Sequence, residues 1–224
     1  MDIKTFGQYF DHALLKAHAT RKEFETYCTE GIKHSVKMLA VNPAAVTFCK
    51  QCVEGTPILV GAAVGFPLGQ MTLETKLFET GDAIAKGSDE IDYVIDISAL
   101  KSGDHQHITE EMRRITDICR QSNVLIKVIF ENCYLSDDEK KLMCEIANRV
   151  KPDYIKTSTG FGTGGAAIQD VKLMRTYADP SIKIKASGGI KTYDDVKQLI
   201  EAGAERIGTS HTASIMEEFI KRSH

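Results

Sequence analysis

Asp92 in EIDYVID, Lys127 in VLIKVIFE, Lys156 in YIKTSTG and Lys185 in IKIKASGG carry charge inside short runs that are otherwise apolar and β-branched. Side chains alternate across a strand, so Ile91, Tyr93 and Ile95 share one face while Asp92, with Glu90 and Val94, takes the other. Counted the same way, the three lysines sit late in their strands with apolar neighbours on either side. In a closed sheet covered outside by helices, the charged face is the interior. A single strand lysine is accounted for by snorkelling or pairing at the sheet end. Three lysines against one aspartate leave surplus positive charge where water is scarce, which costs stability unless the surplus has a use.

The use follows from Coulomb's law. Residues at matching heights on adjacent strands have side-chain bases about 5 Å apart, and two ammonium groups there repel by roughly 3 kcal/mol at an effective dielectric of about 20. That is about two pKa units, enough with burial to give a lysine an appreciable neutral fraction near pH 7. A neutral amine attacks an aldehyde or ketone, and the protonated imine is an electron sink for breaking or making a carbon–carbon bond. Asp92 is placed to move the protons. Residue type alone leaves Lys156 and Lys185 interchangeable as the nucleophile, because each depresses the other.

A second chemistry lies in Ser187-Gly188-Gly189 and Gly208-Thr209-Ser210, glycine-rich turns expected after the seventh and eighth strands. Backbone amides at Gly188, Gly189 and Gly208, with Gly160 and Ser210 as further donors, suit a phosphate, and the helix expected from SIMEEFIKR adds its N-terminal N–H groups. Other signals are discounted. Cys49-Lys-Gln-Cys52 falls on an expected helix without a partner pair, and His105 and His107 have no carboxylate ligand pattern, so no metal is expected. Neither G-x-G-x-x-G nor G-x-x-x-x-G-K-[ST] occurs, so no dinucleotide or ATP is expected.

Such residues need a scaffold. Short β-branched runs at 10–15, 36–41, 58–64, 90–95, 124–131, 154–159, 182–187 and 206–210 recur at roughly 22 to 34 residue intervals, separated by amphipathic segments. Thr20 with Glu23 and Ser136 with Glu139 fit helix-starting capping boxes, while Gly31, Gly55, Gly87 and Gly203 follow expected helix ends. Eight such strands predict an α/β fold of the (β/α)8 TIM barrel type as a single domain over 1–224, with an open doubly wound sheet as the alternative. The 224 residues suffice for one barrel, and 28 basic against 31 acidic residues leave no basic stripe for a nucleic acid or an anionic membrane. With no signal-like N-terminus and no run of ~18 apolar residues, a cytoplasmic chain with reduced cysteines is expected.

Several stretches together resemble the deoxyribose-phosphate aldolase family: DYIKTSTGF with GTGGA, KASGGI with AGAERIGTS, DHALLK, VGFPLG and DEIDYVIDISALKSGD, spanning Asp11 to Ser210. The resemblance implies Lys156 as the Schiff-base lysine, Lys185 as the residue that perturbs it and Asp92 as the proton relay. Lys127, grouped with the substrate-binding residues, matches a family lysine near the site, in the hydrogen-bonded network around Asp92 or as a supporting ion-pair member. Asp11 and His12 match the family's opening pair, with structure and substrate contact both open. The implied reaction is reversible cleavage of 2-deoxy-D-ribose 5-phosphate to D-glyceraldehyde 3-phosphate and acetaldehyde, without metal or organic cofactor, in a homodimer or tetramer. The sequence departs from the family pattern at Ala13, Ala40, Asp96 and His211, where threonine, cysteine, asparagine and serine are usual; Asp96 adds a carboxylate beyond Asp92, and His211 alters the expected phosphate site. Two rivals stay open: an aldolase for a phosphorylated keto acid, which needs a carboxylate-binding arginine at the mouth, and a silent barrel that binds sugar phosphates.

Overall fold

The computed structural model describes residues 2–222. Along the chain, α1 (Ile3–Gly7) precedes β1 (Phe10–Leu14) and α2 (Arg21–Lys33), and β2 (Met38–Val41) leads through a 3-10 turn at Pro43–Ala45 into α3 (Val46–Cys52). Next come β3 (Leu59–Val64), α4 (Leu73–Ala85) and β4 (Glu90–Val94), then α5 (Ile97–Lys101) and α6 (His105–Gln121). The second half runs β5 (Leu125–Ile129), a 3-10 turn at Asn132–Tyr134, α7 (Asp137–Val150), β6 (Tyr154–Lys156), α8 (Ile168–Tyr177), β7 (Lys183–Ser187), α9 (Tyr193–Glu201), β8 (Arg206–Thr209) and α10 (Thr212–Arg222).

All eight strands pair in parallel in sequence order, and β1 closes on β8 with Phe10 beside Ile207. The closing pair makes this the expected (β/α)8 barrel and removes the open sheet. The barrel spans the described part of the single domain expected over 1–224; residues 1, 223 and 224 lie outside the described residues. No helix among the described residues is long and apolar enough to cross a membrane.

Local signals explain most element ends. The capping boxes at Thr20 and Ser136 form as expected, and a third forms at Thr192 with Asp195, where aspartate does the usual work of glutamate. Gly87 and Gly203 follow α4 and α9 with φ of 98° and 113°, which suits glycine. Gly31 corrects the sequence expectation, since α2 continues past it to Lys33. A Cβ at Gly31 would lie 2.7 Å from Leu39 Cδ2, so this glycine lets α2 press against β2. Strand β6 is shorter than expected because the side chains beyond it take over its pairing: Ser187 N donates to Thr157 Oγ1 at 3.1 Å and Ser187 Oγ to the Ser158 carbonyl at 2.5 Å.

The apolar core lies between the barrel wall and the helices, where residues such as Ile91, Tyr93, Ile126, Val128, Ile155 and Ile184 are buried. Each such side chain contributes about 1.5–3 kcal/mol on burial. The barrel interior is different. Where such barrels are usually filled by branched apolar side chains, this one holds buried Asp11, Glu90, Asp92, Lys127, Lys156, Lys185 and Arg206.

Candidate active site

Strand register sets the site. Asp92 pairs with Lys127 across β4 and β5, and Lys156 with Lys185 across β6 and β7, so the two candidate nucleophiles stand at matching heights. Asp92 is the hub. Its Oδ1 accepts from Lys127 Nζ at 2.8 Å, and its Oδ2 accepts from Lys156 Nζ at 2.8 Å and Lys185 Nζ at 2.6 Å. Lys185 also pairs with Asp11 Oδ2 at 2.5 Å, and Lys127 with Glu90. Arg206 closes the far side, donating from Nε to Asp11 at 2.7 Å and from Nη2 to Glu90 at 3.1 Å. Four basic side chains thus face three carboxylates in the buried interior.

The charges balance when one cation is neutral, and the contacts pick out which. Lys127 and Lys185 each hold two carboxylates within 3 Å, whereas among the described residues Asp92 is the only polar partner of Lys156. Burial lowers the Lys156 pKa most; Asp92 pulls it back up and Lys185 pushes it down, leaving it at about 8. Asp92, Asp11 and Lys127 stay charged. Burial opposes ionisation of Asp92, but Lys127, Lys156 and Lys185 outweigh it and hold the carboxyl well below the usual range. Burial likewise opposes ionisation of Asp11, and Arg206 and Lys185 overcome it, lowering its pKa to about 2. Lys127 is pushed up, because Asp92 and Glu90 outweigh the cost of its burial.

Lys156 and Lys185 form part of the floor of a cavity of about 910 Å³, whose wall includes Gly160, Gly188, Gly189, Gly208 and Ser210. Gly160, Gly188 and Gly189 have φ of 87°, 88° and 75°. Their amide N–H groups have no acceptor among the described residues, leaving three donors free at one side of the cavity. The loops that carry them touch backbone to backbone: a Cβ at Gly165 would lie 2.2 Å from the Gly188 carbonyl oxygen.

Some sequence readings need revision. Lys127 was expected among the substrate-binding residues, but it is fully buried with its ammonium held by Glu90 and Asp92, so it braces the network beneath the cavity. Asp96 does not join Asp92: it caps α5, accepting from Ala99 N at 3.1 Å. Gly208 lies within β8 rather than in a turn. A Cβ there would meet Ser187 Cβ at 2.8 Å and Lys185 Cε at 3.0 Å, so its part is to leave room for the lysine. Gly208→Ala should therefore push Lys185 off its two carboxylates, lowering stability by about 1–3 kcal/mol and reducing kcat/KM. Thermal unfolding and steady-state kinetics read both, and wild-type values in each would show that the lysine has space to spare.

Asp11, left undecided by the sequence, is an integral member of the network. His12 stays out of the ion network but lines the cavity, its ring stacked on Tyr27 at 4.5 Å and its Nδ1 3.0 Å from Thr212 Oγ1, which ties β1 to α2 and α10. Burial drops its pKa to about 4. Arg206 was missed. It stands in AERIGTS on the same strand face as Gly208, and the rule that a charge within a strand needs explaining applies to it equally.

A barrel with a depressed lysine on its cavity floor has the parts for imine chemistry, and comparison with known proteins bears on which family built it. The sequence profile described as DeoC/LacD family aldolase matches residues 6–214. The chain belongs to this family. It is similar to the deoxyribose-phosphate aldolase of Lactobacillus acidophilus, at 48% identity over 96% of this chain and 91% of that protein. A Bacteroides thetaiotaomicron protein of the same name is 45% identical over 98% of this chain and 92% of its own length. Among solved structures, the tetrameric deoxyribose phosphate aldolase of Aeropyrum pernix superposes with a TM-score of 0.92 at 27% identity, covering 99% of this chain and 93% of that one.

Proposed function

We propose that the protein is a deoxyribose-phosphate aldolase that cleaves 2-deoxy-D-ribose 5-phosphate reversibly through a Schiff base on Lys156. The observation that carries this is the uneven pairing of the three buried lysines: the least paired has the depressed pKa and lies at the cavity floor. Its neutral amine adds to the C1 aldehyde of the open-chain sugar, and loss of water leaves an iminium. Removal of the C3 hydroxyl proton lets the C2–C3 bond break, its electron pair flowing into the iminium to give an enamine as glyceraldehyde 3-phosphate departs. Protonation of the enamine carbon and hydrolysis of the iminium release acetaldehyde and restore the lysine. Asp92 relays the protons; the lysines around it keep its carboxylate a poor base, and that restraint weakens when electron flow turns the iminium on Lys156 into a neutral enamine. Lys185 holds Lys156 down by like-charge repulsion.

The free amides of Gly160, Gly188 and Gly189, with Ser210, form the phosphate site of this reading. The keto-acid rival fares worse, because no arginine among the described residues lines the cavity and Arg206 is engaged with Asp11 and Glu90. A silent barrel would have no need of the ion network. The reading needs no metal or organic cofactor, places the barrel as a single catalytic domain in the cytoplasm, and takes a homodimer or tetramer as its assembly. Incubation with deoxyribose 5-phosphate in EDTA-containing buffer should release acetaldehyde; cleavage confined to keto-acid phosphates would favour the rival.

His211 refines the phosphate site. It is exposed at the cavity edge, with Nδ1 3.3 Å from the Ser210 hydroxyl and its N–H donating to Thr209 Oγ1. A ring N–H there can donate to a phosphate oxygen. His211→Ala should therefore raise KM for deoxyribose 5-phosphate by about fivefold. An unchanged KM would remove His211 from the phosphate site.

A further inference from the structure

Glu131 is a buried carboxylate with no cation within ion-pair distance among the described residues, and it sits in a backbone conformation that non-glycine residues rarely adopt. It is the second residue past the end of β5, with φ 47° and ψ 61°, in the left-handed region. The flanking residues force this, since Phe130 N donates to the Lys156 carbonyl at 2.9 Å and Asn132 N to the Thr157 carbonyl at 2.8 Å, clamping both sides of it to the end of β6. Strain of this kind persists only where the surroundings over-determine it, and it gathers at functional sites. The side chain is 2% exposed and does not line the cavity.

The carboxylate spends its oxygens on the loop that follows Lys156. Oε1 accepts from Thr159 N at 3.2 Å and lies 3.7 Å from Cys133 Sγ, and Oε2 accepts from the Thr159 hydroxyl. The Thr159 oxygen in turn accepts from Phe161 N at 3.0 Å. Gly160 is therefore held in a turn whose two sides are both tied to Thr159, which the carboxylate fixes. The clamp reaches further, because Ala166 N donates to the Gly188 carbonyl at 3.0 Å and the Gly160 and Gly165 backbones rest on Gly188. Movement of the Thr159 turn would displace the free N–H groups of two loops together.

We propose that Glu131 is a positioning residue that fixes the loops after β6 and β7 so that their free amides meet a substrate phosphate, and thereby sets the preference for phosphorylated over unphosphorylated sugar. This rests on the phosphate site assigned above. Glu131→Gln keeps the shape but faces the Thr159 hydroxyl with an N–H₂ that can only donate, so the charge-assisted bond from that hydroxyl is lost. KM for deoxyribose 5-phosphate should rise about tenfold or more, with kcat and all constants for 2-deoxyribose changed by less than about twofold. Thr159→Val should act in the same way, the double variant should be no worse than either single one, and Thr159→Ser should restore the phosphate preference. Equal losses on both substrates would assign Glu131 to folding or chemistry, and additive effects would break the link to Thr159; either overturns the proposal. Should Glu131→Gln fail to fold, the Thr159 pair still decides it. A wild-type protein that cleaves both sugars equally well would overturn the phosphate site itself, and the proposal with it.

Discussion

Lys156→Ala is expected to lower the rate of deoxyribose 5-phosphate cleavage by about 10⁴-fold or more, the scale on which removal of a covalent nucleophile is felt. The fold should survive. Deleting Lys156 leaves Lys127, Lys185 and Arg206 facing Asp11, Glu90 and Asp92, three charges against three, and Asp92 keeps two of its three donors. Circular dichroism and thermal unfolding close to wild type would therefore accompany the loss, and the loss can be read as chemistry. In the wild-type protein, borohydride with acetaldehyde should reduce the imine and leave a two-carbon group on one lysine, found at Lys156 by mass mapping. Labelling at Lys185 would reverse the assignment of nucleophile and perturber.

The barrel was legible because two independent periodicities, alternation within strands and their spacing along the chain, both demand eight βα units. Asp92, Lys156 and Lys185 were legible for a related reason: a charge well inside a strand, on the face opposite the helix-covered apolar residues, points into the barrel, whereas Lys183 at the start of β7 is exposed although Ile182 and Ile184 flank it. What the sequence could not convey is pairing at a distance. Whether Lys156 or Lys185 is the freer amine depends on Asp11, far away along the chain and brought to within 2.5 Å of Lys185 by closure of β1 on β8. Register across a closed barrel, not local pattern, breaks the symmetry between two equivalent lysines. The same holds for Glu131, which reads as the last residue of a strand until the left-handed turn aims it at Thr159.

Lys185→Leu offers the sharpest test of that network. In the wild-type protein four cations face three carboxylates, and the balanced state is the one with Lys156 neutral. Without Lys185 the balanced state has Lys156 charged, and Asp92 keeps only Lys127 and Lys156 as donors, so it holds the Lys156 proton more tightly. The Lys156 pKa should rise from about 8. Activity needs the neutral amine, so the acidic limb of kcat/KM, set by the free enzyme, should move upward by about one to two pH units. At neutral pH that is roughly a ten- to hundredfold loss, recovered as pH increases. Stability gives a second reading. A lysine whose folded pKa lies below its unfolded value of about 10.4 binds fewer protons in the folded state between the two, so wild-type stability should rise with pH from about 8 to 10.4. In Lys185→Leu the rise should shrink, because the two pKa values converge. Burial is the largest influence on Lys156 and remains in the variant. An acidic limb that stays in place in a folded Lys185→Leu protein would show that burial alone prepares the nucleophile.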